Sequence, residues 1–209
     1  MNIEPARLSR IGWPEPLPAA WQAMLAAHPA ARPARVTEQH RSGYVVAESA
    51  EEAQAVESLP DWMRPRCDPN ARAAVGDWVL IEAREEKPQI IALLPRQSVI
   101  KRGAAGEHYK QQLIAANVDT AFVVTGLDAD FNPRRIERYL LLLQGGGVRP
   151  VVVLTKHDIA IDAEAALAGL DAVVMQGVPV AAVNARDAAS VSALGEWLRP
   201  GQSVVLVGS

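Results

Sequence analysis

At 209 residues, 49% of them hydrophobic, the chain can bury one sizeable core or two small ones. A formal net charge of -3 excludes nucleic-acid binding by bulk attraction, so any RNA contact must come from a local patch. The single cysteine, Cys67, excludes a disulfide framework and a thiolate metal site and suits a reducing cytosol, while the acid and proline of Met1 to Arg7 and the lack of any bilayer-length apolar run argue against secretion and membrane insertion.

Residues 1–34 are rich in Pro and Ala and read as an amino-terminal extension with one short helix, Pro18 to Ala27. From residue 35 to 103 short β-like runs alternate with turn signals: Arg35 to Glu48, Asp77 to Glu82 and Gln89 to Leu94, with Glu51 to Leu59 either helix or loop. Strands at this spacing suit a small barrel, and a barrel of the OB type offers nucleic acid a strand face and two loops. Arg35, His40, Arg41 and Tyr44 are the candidate RNA-contacting set there, whereas Trp78, alternating with Asp77 and Val79, reads as core. Residues 104–117 read as a flexible linker.

Residues 118–209 alternate strand and helix and predict an α/β layer with a mostly parallel sheet. Thr120 to Thr125 is a buried strand. Asn132 then caps a helix with Pro133 in its first turn and Ile136, Tyr139, Leu140 and Leu143 on one face, stopped by Gly145 to Gly147. The run Pro150 to Leu154 is a strand buried on both faces, and it ends in Thr155-Lys156-His157-Asp158. A helix from Asp162 to Gln176, a strand from Pro179 to Val183, a helix from Ala189 to Leu198 and a last strand from Val204 to Gly208 complete the pattern.

In open α/β sheets ligands sit beyond the carboxyl ends of the strands, which is where Asp158 falls. An ionised carboxylate accepts only, so its two oxygens can take the N1 hydrogen and the 2-amino group of guanine together. Adenine would leave it unpaired. Lys156 would lay its methylene stem along the base, and Thr155 could bond neighbouring loops. Taken alone, the stretch also reads as a strand ending in a solvated loop. After the strand at Pro179 to Val183, the small residue Ala185 would let a backbone N–H approach guanine O6, with Asn184 where such sites more often carry Ser. Gly208 and Ser209 follow the last strand as a phosphate loop would begin, although no Gly-x-x-x-x-Gly-Lys-Ser/Thr occurs anywhere.

The order is a base-reading loop, a small-residue loop and the start of a phosphate loop, with a further domain in front. Together with Arg35 to Tyr44, Val75 to Val79, Leu93 to Arg96, Ala115 to Thr120 and Asp130 to Leu140, it resembles the RsgA (YjeQ) family of circularly permuted GTPases from about Arg35 to Ser209. The resemblance implies that the barrel is an OB fold. It also implies a cytoplasmic GTPase, GTP or GDP with Mg2+ as its ligands, that binds the small ribosomal subunit and its 16S rRNA late in that subunit's maturation, as a monomer. It implies guanine recognition by Thr155, Lys156, His157 and Asp158, a contact at Asn184 and Ala185, and phosphate-loop positions at Gly208 and Ser209. The family's catalytic phosphate-loop Lys, its switch regions and the Cys/His cluster that binds Zn2+ in a carboxyl-terminal domain have no counterparts here, so the chain reads as an incomplete GTPase domain, inactive alone. The alternative is an RNA-binding barrel carrying a non-catalytic α/β scaffold.

Overall fold

The computed structural model describes residues 5–41, 43–103, 111–160 and 162–208, and the chain divides into two compact units, residues 1–117 and 118–209.

In the first unit, five strands close into an OB-like barrel in the order β1-β2-β3-β5-β4. β1 (Arg32–Gln39) and β2 (Gly43–Ala47) form an antiparallel hairpin with a register shift between Val36 and Glu38, and β3 (Ala53–Glu57) runs antiparallel to β2. β4 (Trp78–Glu82) pairs with both β1 and β5 (Gln89–Leu93), and one parallel pair, Glu57 with Gln89, closes the ring. Residues 53–57, expected as helix or loop, are therefore a strand. Only Val56 of its five side chains is buried, so the sequence carries almost no apolar alternation there, and pairing to β2 decides the conformation.

Trp78, Val79, Leu80 and Ile81 are buried in a row because both faces of β4 are covered. Val79 and Ile81 join Val36, Val46, Val56 and Ile90 inside the barrel, while Trp78 and Leu80 pack outside it with Leu8, Trp13 and Trp21. Those last three come from around α1 (Pro5–Ser9) and from α2 (Ala19–Ala27). The Trp13 and Trp78 rings meet edge to face at 4.7 Å, and the Trp21 Nε1–H donates to the Pro95 carbonyl at 2.8 Å. Residues 5–34 thus contribute Leu8, Trp13, Trp21 and Ala31 to this unit's core, and β1 begins among them. The linker expectation changes as well. Residues 104–110 lie outside the described residues, but β6 (Val99–Gly103) and β7 (Gln111–Ala116) form an antiparallel hairpin. At Gly76, whose φ is +89°, a Cβ would lie 2.1 Å from the Ala116 carbonyl, so only glycine allows β7 this close.

The second unit is a four-stranded parallel sheet in the order β10-β9-β8-β11: β8 (Thr120–Gly126), β9 (Arg149–Thr155), β10 (Val180–Ala182) and β11 (Val204–Gly208). Val151 to Leu154 are each at most 2% exposed, worth roughly 1.5–3 kcal/mol apiece as buried aliphatic side chains. α3 (Pro133–Leu143) buries Ile136, Leu140 and Leu143, and the Asn132 side chain accepts the Arg135 N–H at 3.3 Å as its cap. The single helix expected over 162–176 is two short ones, α4 (Ala163–Ala168) and α5 (Asp171–Met175), because the chain leaves helical geometry at Leu170, whose φ is -106° and ψ 11°. The next is α6 (Ala188–Val191), continued as a 3-10 turn over Ser192–Trp197. Since all four strands are parallel, their carboxyl ends share one edge of the sheet.

Candidate nucleotide-binding site

The loops after β8, β9 and β10 are stitched together at that edge. The Leu127 N–H donates to the Thr155 carbonyl at 2.9 Å, the Val183 N–H to Leu154 at 2.8 Å, and the His157 N–H to Val183 at 3.4 Å. The Thr155 hydroxyl, expected to bond neighbouring loops, donates instead to the Thr125 carbonyl within β8 at 3.3 Å. Lys156 has φ +60°, a left-handed conformation that costs a non-glycine residue about 1–3 kcal/mol and persists because the surrounding structure holds it. It turns the chain off β9 into a 3-10 turn over His157–Ile159.

Asp158 stands exposed on that turn, and among the described residues its carboxylate has neither hydrogen-bond nor ion-pair partner. Both oxygens are open to a ligand. The Ala185 N–H, exposed in the loop after β10, also has no acceptor among the described residues. Asn184 shapes that loop: its side-chain oxygen accepts the Arg186 N–H at 2.9 Å, while its own N–H donates to the Ser190 hydroxyl at 2.9 Å. Its side chain serves the turn, as a short Asx residue does. A carboxylate acceptor and a main-chain donor thus stand on two loops at the carboxyl edge of the sheet.

Asp128, in the loop after β8, was not evident from the sequence. Its carboxylate forms an ion pair with the Lys156 ammonium, and the hydrogen bond from Lys156 holds its pKa below the usual carboxylate range. A lowered pKa means that the pair persists above the ordinary Asp range and is lost as pH falls through the depressed value. The signal available was an acid two residues beyond the carboxyl end of a buried strand, but its partner depends on β8 and β9 being neighbours.

Gly208 ends β11 with φ +143°, and a Cβ there would lie 2.0 Å from the Val124 carbonyl. The Tyr139 hydroxyl donates to the Gly208 carbonyl at 3.2 Å, tying α3 to the same edge. Gly208→Ala is expected to pry the end of β11 from β8, seen as faster amide exchange at Leu206 and Val207. Unchanged exchange would contradict the close approach. Ser209 lies outside the described residues.

The candidate RNA set divides. Arg35 is used internally: its guanidinium donates to the Ile11 carbonyl, to Gly76 at 3.3 Å and to Asn117 at 2.7 Å, and lies 5.6 Å from the Trp78 ring centroid. Tyr44 is 5% exposed and packs edge to face on Trp62, so it offers no stacking face. Both are corrected to structural residues. His40 pairs with Glu38 at 2.9 Å, and Arg41 is exposed. Among the described residues no three His, Cys, Asp or Glu side chains group to hold a metal ion, and no helix is long and apolar enough to cross a membrane.

Comparison with known proteins agrees with this geometry. The chain is 62% identical over 205 residues to the small ribosomal subunit biogenesis GTPase RsgA of Xanthomonas oryzae pv. oryzae (strain MAFF 311018), and equally so to that of Xanthomonas axonopodis pv. citri (strain 306). Each match covers 97% of this chain and 55% of the relative, so the chain spans about half the length of the curated relatives it matches. Its fold is that of YloQ, described as a circularly permuted GTPase (TM-score 0.61, 16% identity), and of YjeQ from Thermotoga maritima (TM-score 0.65, 20% identity). Both matches cover 86% of this chain and 60% of the solved one. The family model of the RsgA GTPase matches residues 93–209, and the chain belongs to that family.

Proposed function

We propose that this chain forms the barrel and the guanine-recognising part of a GTPase that assists late maturation of the small ribosomal subunit. The observation that carries the reading is the Asp158 carboxylate on the loop after β9, exposed and without a partner among the described residues, with the Ala185 N–H open in the next loop and Gly208 later in chain order. Asp158 would accept from N1–H and the 2-amino group of guanine, Ala185 N–H would donate to O6, and Lys156, held by Asp128, would cover one face of the base. Gly208 and Ser209 would open the turn that wraps the phosphates.

Hydrolysis in this class rests on positioning and charge neutralisation at the phosphates, to which Mg2+ contributes when bound. The residues present fit the base and the first phosphate-loop glycine. Among the described residues no group of three His, Cys, Asp or Glu side chains fits Mg2+ or Zn2+. The barrel would contact the 16S rRNA, in the cytoplasm and as a monomer.

The test is a fluorescent-GDP titration with ADP as competitor. It uses the chain alone and the chain followed by the part of the Xanthomonas oryzae relative beyond the match. The extended protein should bind, resist ADP and outbind the chain alone. No binding by a folded extended protein would remove the GTPase reading.

A further inference from the structure

One end of the barrel holds a cavity of about 320 Å3 between the β1–β2 turn and the connection that leads from β3 to β4. That volume lies at the lower end of the ~300–1,000 Å3 range of small-molecule sites. Gln39 and Arg41 line it from the first side, and Ser58, Trp62, Met63 and Arg72 from the second. No Asp or Glu is among its described lining residues, in a chain whose net charge is -3. A basic pocket free of carboxylates runs against the composition of the whole chain and suits an anion.

Arg72 is the residue without an internal explanation. Its Nε is buried and has no hydrogen-bond partner, although buried polar groups are nearly always paired. The backbone around it is held fixed, because the Arg96 guanidinium donates to the Arg72 carbonyl at 2.6 Å and to the Asn70 carbonyl at 2.8 Å. Burial keeps the Tyr44 phenol above its ordinary pKa, so the hydroxyl is neutral and can both donate and accept. Met63, 54% exposed, gives the pocket an apolar side; Gln39 bonds the Tyr44 hydroxyl and Ser58 donates to the Leu59 carbonyl at 3.2 Å, which leaves each with hydrogen-bonding capacity for a base edge. An Arg on a held backbone whose guanidinium makes no hydrogen bond among the described residues, a second Arg and an apolar wall together describe a site for a phosphate joined to a planar heterocycle.

We propose that this cavity takes one unstacked nucleotide, its phosphate on Arg72 and Arg41 and its base against the exposed Met63, at the edge of the buried Trp62. The inference rests on the reading that the barrel meets RNA, and it narrows that contact to one pocket. The same chemistry could be presented by a free mononucleotide or by a residue of a single strand.

The 209-residue chain is titrated with 5′-AMP and with a short oligoadenylate, neither of which suits the guanine site, and followed through the Trp62 indole N–H resonance identified with Trp62→Phe. Arg72→Gln should weaken oligoadenylate binding about tenfold or more. It should also lower the slope of log affinity against log salt by about 0.7, the loss of one single-strand phosphate contact. Arg84→Gln, an exposed cation outside the pocket, should change neither, and Arg72→Lys should restore part of the loss. Because the Arg72 side chain makes no internal hydrogen bond, Arg72→Gln should keep the wild-type unfolding midpoint. Binding of 5′-AMP with the same Arg72 dependence supports the pocket with a free nucleotide as its source, and binding of the oligomer alone supports it with a strand. Oligoadenylate binding that ignores Arg72→Gln overturns the pocket and leaves RNA binding by the barrel standing. No binding of either ligand by the folded chain overturns both.

Discussion

Replacing Asp158 with Asn is expected to move nucleotide preference from guanine to xanthine. The wild-type carboxylate is acceptor-only, matching two adjacent donors on guanine, N1–H and the 2-amino group. Xanthine keeps N1–H and replaces the amine with a carbonyl. An Asn side chain, with one acceptor and one donor, fits that edge and leaves guanine's amine facing an amine. Hydrogen bonds to charged groups are worth about 1.5–3 kcal/mol each, so losing the one to the 2-amino group, while N1–H keeps the Asn oxygen as acceptor, corresponds to a guanine affinity lower by roughly 10- to 10²-fold. The chain extended with the remainder of the Xanthomonas oryzae relative is the protein to titrate, with GDP and XDP. The exposed, unpartnered state of Asp158 makes the swap clean, since no internal bond is broken by it. Guanine preference unchanged in a folded Asp158→Asn variant would remove the base-reading role from this loop.

That loop was legible in the sequence because its signal is local: five apolar residues ending in a Lys and an Asp two apart. The parallel sheet was legible for the same reason, as strand and helix periods alternate from Thr120 onward. What was not legible depends on partners distant in sequence. Asp128 becomes part of the site only because β8 and β9 are neighbours, which brings its carboxylate to Lys156. Residues 53–57 carry one buried side chain and take strand form from β2. Arg35 and Tyr44 have the residue types of an RNA surface, but composition does not say which way a side chain faces. Arg35 instead joins Gly76 and Asn117, 41 and 82 residues away. Trp13 and Trp21 sit in a Pro- and Ala-rich stretch that reads as an extension, and only the outer face of β4 reveals them as core.

Arg96→Ala is expected to destabilise the barrel unit by about 3–5 kcal/mol, the cost of stranding one member of a buried ion pair. Asp77 is fully buried, and Arg96 meets its carboxylate with Nε at 2.9 and 3.1 Å and with Nη2 at 2.8 Å. The same carboxylate accepts the Ala74 N–H at 2.8 Å, while the guanidinium also donates to the carbonyls of Asn70 and Arg72. Truncation would leave a buried charge with one main-chain donor and a long contact from Asn117 at 3.4 Å, and would free two carbonyls together. Against a typical domain stability of about 5–15 kcal/mol, that loss is a large fraction. Four of the five tryptophans, Trp13, Trp21, Trp62 and Trp78, belong to this unit, so urea unfolding followed by tryptophan fluorescence reports chiefly on it. Arg96→Lys should fall between wild type and Arg96→Ala, because an ammonium keeps the charge but cannot span a carboxylate and two carbonyls at once. A loss under about 1 kcal/mol for Arg96→Ala would mean that water or a rearranged loop satisfies Asp77. In that case the Asn70 to Arg72 backbone would not be held, and the fixed placement of Arg72 at the barrel-end pocket would go with it.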